Sequence, residues 1–200
     1  GRLRLKYKKF SLDGEYIIKE QDPSVDNNYN YNYGHAALIN FGFSQKGLGI
    51  AMSAKSVDNM SFRSDRTKDL QDVFINYLPA MNKTHTYNLV SSLYPYATQP
   101  VGEIAYQAEV LYTIKRGSKI GGKYGTSINA NFSTAYLPTR NTDGIDPGDS
   151  SGIAYVSKPF GMSDSLLWRD INLNIYRKFS KTFNLRLSYY NLTLNNDVAK

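Results

Sequence analysis

Alternation of apolar and polar residues with a period of two constrains this chain more than any other feature. In residues 104–114 the even positions are Ile104, Tyr106, Ala108, Val110, Tyr112 and Ile114, while Gln107, Glu109 and Thr113 stand between them. Residues 127–136 repeat the design, with Ile128, Ala130, Phe132 and Tyr136 set against Ser127, Asn129, Asn131 and Ser133. In 170–175, Ile171, Leu173 and Ile175 alternate with Asp170, Asn172 and Asn174; in 183–189, Phe183, Leu185, Leu187 and Tyr189 alternate with Asn184, Arg186 and Ser188. Successive side chains of a strand point to opposite sides of the sheet, so each segment reads as a strand with one apolar and one polar face. Residues 2–8, 11–19, 39–44 and 48–55 follow the same rule: Leu3, Leu5 and Tyr7 oppose Arg2, Arg4 and Lys6, and Ile39, Phe41 and Phe43 oppose Asn40, Gly42 and Ser44. Two less regular segments, 71–78 and 87–94, bring the expectation to about ten strands, with no amphipathic helix.

The connections add a direction. Ser44-Gln45-Lys46-Gly47 and the stretches 116–123 and 178–183 are short hairpin links, with glycine in the first two where positive φ is needed. The stretches 21–34, 57–70 and 138–165 are long and polar. Short links tend to alternate with long ones, as in an up-and-down barrel of a bacterial outer membrane. A soluble β-sandwich also alternates apolar and polar residues, with its apolar faces turned inward. Three features favour the barrel. Its polar faces are rich in Asn, Ser, Gln and Thr, which suits a wet lumen. Segments 103–116 and 127–139 exceed the soluble strand length of roughly 5–6 residues. Tyr94, Tyr96, Tyr112, Tyr136, Tyr176 and Tyr189 stand near segment ends, where a membrane interface favours rings with one polar tip. The parity changes near the end, from Tyr189 to Leu192 and Leu194, which predicts a bulge or a strand leaving the membrane.

Composition removes several function classes. The 200 residues contain no cysteine, so disulfides, thiol nucleophiles and Cys-based metal sites are excluded. His35 and His85 are isolated, which argues against a multi-His metal site. No apolar run approaches the ~20 residues of a membrane helix. The start at Gly1 lacks the apolar core of a signal peptide, so an export signal is expected to be missing or removed. No Gly-rich phosphate loop and no Ser-centred triad pattern is present. The expectation is a non-enzyme without a cofactor.

The polar residues offer three candidate sites. Asp58 followed by Arg63, Asp65 and Arg66 forms the densest cluster, and Arg suits carboxylate or phosphate because its planar fork donates two parallel hydrogen bonds. An ordinary charged loop ordered by local ion pairs is the plainer reading. Glu103, Glu109 and Lys115 share one strand face; with Asp13, Glu15, Asp170 and Arg186 they would line a polar channel, or pair with one another in a filled lumen. Asp143, Asp146 and Asp149 sit in a Gly-containing loop whose oxygens suit calcium, although Ile145 occupies a position an EF-hand would give to a ligand. The 24 basic against 17 acidic residues give a net charge of +7. The basic strand Arg2, Arg4, Lys6, Lys8 and Lys9 suits phosphates. With the aromatics on the apolar faces, nucleic acid is not expected, and anionic membrane lipid or lipopolysaccharide phosphates are the simpler partners.

A set of segments carries a resemblance. SQKGLGI (44–50), AKSVDNM (54–60), FRSDR (62–66), INYLPA (75–80), HTY (85–87) and LYPYATQ (93–99) are similar to an outer-membrane β-barrel family of Bacteroidota known as a domain of unknown function. Glu103 with YTIKRG (112–117), GGKYG (121–125), KFSK (178–181) and NNDV (195–198) resemble it too. The resemblance implies longer relatives, with a signal peptide ahead and more strands behind, so residues 1–200 are expected to be one β-barrel region within a larger barrel. It implies location in the outer membrane of a Gram-negative bacterium and supplies no activity. Two roles follow as expectations: a structural partner of other outer-membrane proteins or lipoproteins, and a passive or selective channel for small solutes. A soluble sandwich that binds glycans through its tyrosines stands outside both.

Overall fold

The computed structural model describes residues 1–68, 73, 75, 78–83, 96–146, 152–195 and 197. Period-two patterning becomes eight strands: β1 (Arg2–Tyr7), β2 (Phe10–Lys19), β3 (Gly34–Gln45), β4 (Leu48–Asp58), β5 (Gly102–Ile114), β6 (Thr126–Asn141), β7 (Val156–Lys178) and β8 (Asn184–Leu194). They form one antiparallel sheet in chain order, β1 to β8, each strand beside its sequence neighbours. This is an up-and-down meander. The all-β, antiparallel, up-and-down arrangement is as expected; eight strands stand among the described residues against an expectation of about ten within a larger barrel, and the sheet is not closed, with β1 and β8 as its edges. Segment 87–94 lies outside the described residues, and Val73, Ile75 and Leu78, the described residues of 71–78, are not in a strand.

Register fixes the two faces, because directly opposed residues lie on the same side. Leu5↔Leu12, Leu12↔Phe41, Phe41↔Met52, Met52↔Ala108, Ala108↔Phe132, Phe132↔Ile171 and Ile171↔Asn191 trace a row across the apolar face that is apolar up to Asn191; towards the long connections the same face carries Ser56, Asp58, Thr134 and Arg169. Arg4↔Asp13, Asp13↔Asn40, Asn40↔Ser53, Ser53↔Gln107, Gln107↔Ser133 and Ser133↔Asp170 trace the polar face. Pairing between β7 and β8 runs without a shift from Lys178↔Asn184 to Trp168↔Leu194. The parity change at Leu192 and Leu194 is therefore not the predicted bulge. Both leucines belong to the polar side and pack against a buried cluster of Trp168, Leu167, Ala105 and Ala135. The irregularity lies instead between β6 and β7, where the register shifts around Tyr136 and Pro138; proline has no N–H to give the ladder.

The ends of the sheet differ. Four short links close one end: Lys8-Lys9, Lys46-Gly47, 115–125 and 179–183. Gly47 (φ 80°) and Gly125 (φ 88°) supply the left-handed backbone that two of these turns need. Three long connections, 20–33, 59–101 and 142–155, gather at the other end. Gly34 sits under the backbone carbonyl of Asn59, where a Cβ has no room, so these connections approach the sheet closely. No helix among the described residues is long and apolar enough to cross a membrane.

Candidate functional site

The polar side of β4 and β5 carries the most buried charge. Lys55 of β4 and Glu103 of β5 pair at 2.9 Å, with side chains 4% and 0% exposed. Lys55 Nζ also donates to the Pro79 carbonyl (2.7 Å) and to Thr98 Oγ1 (2.6 Å). Glu103 Oε2 accepts from the Tyr96 hydroxyl (2.5 Å) and from the backbone N–H of Gln99 (2.9 Å). Both ions thus hold the β4–β5 connection down onto the sheet. Burial, with the neighbouring Glu103 charge, drives the Tyr96 phenol well above its ordinary range, so it stays a donor. Around this latch Met81 and Tyr96 complete the cluster of Ala105, Ala135 and Trp168, the Tyr96 and Trp168 rings stacked at 5.4 Å. The described residues Pro79, Met81, Tyr96 and Thr98 of the β4–β5 connection lie against the long-loop half of the polar side. Nearer the short turns, Glu109 pairs with Lys83 of the same connection (2.6 Å) and accepts from Asn129 (2.6 Å).

A second constellation ties the long connections together. Asp58, at the end of β4 and buried, accepts from Arg140 Nη2 (2.8 Å), Ser157 Oγ (2.5 Å) and the Tyr155 hydroxyl (3.2 Å). Arg140 lies over the Tyr155 ring at 4.3 Å. Burial and the Asp58 charge push the Tyr155 phenol up to about 12. Beside it Asn59 donates to the Asn32 carbonyl (2.7 Å) and accepts from Asn27 (3.0 Å), while Asn32 donates to the Tyr155 carbonyl (3.1 Å). Arg63 reaches Asp26 through Nε (2.8 Å) and Nη2 (2.6 Å), with Ser61 on the same carboxylate. Arg66 reaches Asp22 (2.7 Å). Arg63 and Arg66 thus bond across from one connection to another, and Asp58 bonds to the ends of β6 and β7, where a charged loop of local pairs is the plainer expectation.

The remaining candidates are scattered. Asp65 accepts from Thr67 N and Oγ1 in a local turn, which holds its carboxylate below the usual range. Lys115 stands at the short-turn end, and Arg186 lies over the Tyr176 ring at 5.9 Å. The Asp143 backbone N–H donates to Asn141 Oδ1 (2.7 Å). Asp149 and His85 lie outside the described residues, and no group of acidic or His residues suited to a metal occurs among the described ones. His35 Nε2 is 3.3 Å from Ser56 Oγ and its ring stacks on Tyr16. Lys55 and Arg140 are not site candidates from sequence, and Tyr96 stands out there only as a segment-end ring; the signal for Lys55 is a lone cation on the polar face of its strand.

A family model described as a family of unknown function (DUF6029) matches residues 1–200. No curated protein and no solved structure matches the chain.

Proposed function

The chain belongs to this family of unknown function, and from that premise we propose that it forms wall of an outer-membrane β-barrel with a filled interior, serving as a structural partner in an outer-membrane assembly. One observation carries the membrane placement. On every strand part of the apolar face is open to its surroundings, with Leu5, Leu12, Ile39, Met52, Val110, Phe132, Ile171 and Leu187 all exposed, while Ala37 and Ile104 towards the long connections are covered. An apolar surface spanning eight strands is far larger than the patches soluble monomers leave uncovered. Strands of ten or more residues, as in β2 to β8, are long enough to cross the hydrocarbon layer. The strict exchange of short turns and long connections supports the same reading.

The latch favours the structural role over the channel. A connection pinned across the polar side by Lys55 and Glu103 fills the space a solute would need. The reading expects retention of the whole chain in vesicles after an alkaline wash, with no steady conductance across a planar bilayer. Stable solubility without detergent, with the chain monomeric, removes the membrane placement and favours the glycan-binding sandwich. A steady conductance removes the structural role. It would favour the channel, for which the open short-turn half of the polar side speaks, where Ser127, Asn129, Tyr176 and Arg186 line a depression of ≈ 450 Å³.

A further inference from the structure

The four short turns carry charge of one sign. The β1–β2 turn brings Lys6, Lys8 and Lys9, and the β3–β4 turn brings Lys46. The β5–β6 link adds Lys115, Arg116, Lys119 and Lys123, and the β7–β8 link adds Arg177, Lys178 and Lys181. Eleven of the 24 basic residues stand here, while 6–10, 44–49, 113–125 and 176–184 contain no Asp or Glu. The net charge of +7 therefore comes from this end, and the rest of the chain is net acidic. None of these cations belongs to an ion pair among the described residues. Charges of one sign along one rim sum to a field that an external anion neutralises.

Aromatic rings stand at the same level. Lys8 lies over Tyr7 (5.1 Å), Lys123 and Lys178 over Tyr124 (5.7 and 5.4 Å), and Arg177 over Phe179 (4.9 Å). Tyr7, Phe10, Tyr112, Phe179 and Phe183 are exposed. By register Tyr7, Phe10 and Tyr112 belong to the apolar side, and so does Arg177, opposite Leu185. Apolar surface, a belt of rings and then a rim of cations is the order in which a bilayer offers hydrocarbon, interface and headgroup phosphate.

We propose that the short-turn rim binds the phosphates of anionic phospholipid headgroups, and so sets which leaflet this end of the sheet faces. The inference rests on the membrane reading above. A phospholipid is favoured over an acidic protein because the cations are spread over all four turns and border the apolar face. A zwitterionic lipid carries its own ammonium beside the phosphate and gains less from the rim. Each cation near an anionic surface contributes roughly a fivefold gain in partition, weakened by salt.

The test uses the full chain in phosphatidylcholine vesicles doped with phosphatidylglycerol. After gentle detergent extraction, the lipids that remain bound are counted. Phosphatidylglycerol should be enriched about tenfold over its share of the bilayer, and the enrichment should fade at high salt. The triple variant Lys46→Gln, Lys119→Gln, Lys181→Gln should enter pure phosphatidylcholine vesicles as the parent does and lose most of the enrichment, while the matching Arg variant keeps it. Insertion without enrichment overturns the rim proposal and leaves the membrane reading standing. Failure to insert in either lipid overturns both. Competition by inorganic phosphate at the lipid's own concentration would mark a free-phosphate site, and competition by polyglutamate an acidic protein site; either overturns the lipid assignment.

Discussion

Glu103 and Lys55 face each other with almost no solvent, so their worth lies in completeness. Desolvating two ions costs about as much as their attraction returns, and removing one leaves the other uncompensated. Glu103→Gln should therefore cost about 3–5 kcal/mol in denaturant unfolding, whereas Lys55→Met with Glu103→Leu should recover most of that loss. A loss no larger than that of a surface substitution would mean that the latch does not hold the connection. Tyr155 gives a pH signature. Its folded pKa is raised from 10.0 to about 12, so its contribution is fully present below pH 10. Stability should then fall as pH climbs from 10 towards 12, by about 2 kcal/mol, and Tyr155→Phe should flatten that decline. Absorbance titration of tyrosinate, folded against unfolded, checks the late-ionising phenol. Much of the site was beyond sequence for a physical reason. Arg140 lies 82 residues from Asp58 and Arg63 lies 37 from Asp26. Composition tells that such charges exist, but only the path of the long connections tells which of them meet.

Strands were the legible part, because a half-covered sheet writes its two faces into the chain at every second residue. Each of the eight strands contains a segment of clean alternation. β7 runs from Val156 to Lys178, well beyond the alternating residues 170–175; Pro159, Gly161 and a polar N-terminal half conceal its first residues. It also misread Leu192 and Leu194, because apolar residues on the polar side pack under the β4–β5 connection, a contact that alternation does not encode. Neighbouring residues of β5 separate the two faces experimentally. Val110 (37% exposed) lies on the apolar side, and Leu111 (53% exposed) lies on the polar side opposite Gly49 and Asn129. Val110→Arg should hinder vesicle insertion by about 2–4 kcal/mol, while Leu111→Arg should insert almost as the parent does. Equal behaviour of the two variants would show that lipid does not distinguish the faces.

An open sheet and a bilayer make conflicting demands, and the conflict is measurable. β1 is exposed along its whole length and β8 along most of it, and each has a neighbour on one side only. In water the unpaired N–H and C=O groups of an edge are solvated. In hydrocarbon each unsatisfied group costs several kcal/mol, which is why spanning sheets are closed. If the apolar face meets lipid, both edges must find strands to pair with, either each other, a second copy or other strands of an assembly. Amide hydrogen exchange followed strand by strand decides this. In vesicles the amides of β1 and β8 should exchange as slowly as those of β5, which already has β4 and β6 on its two sides. In detergent-free buffer with the chain kept dilute, the edges should exchange much faster than β5. Edges that stay fast in vesicles, while β5 is protected, would show that the sheet rests on the membrane rather than within it. Because the chain contains no cysteine, the double variant Arg4→Cys, Ser188→Cys treated with a mild oxidant would then report the edge pairing: a disulfide within one chain closes the eight strands on themselves, a disulfide between chains marks pairing with a second copy, and protected edges without either point to other strands of an assembly.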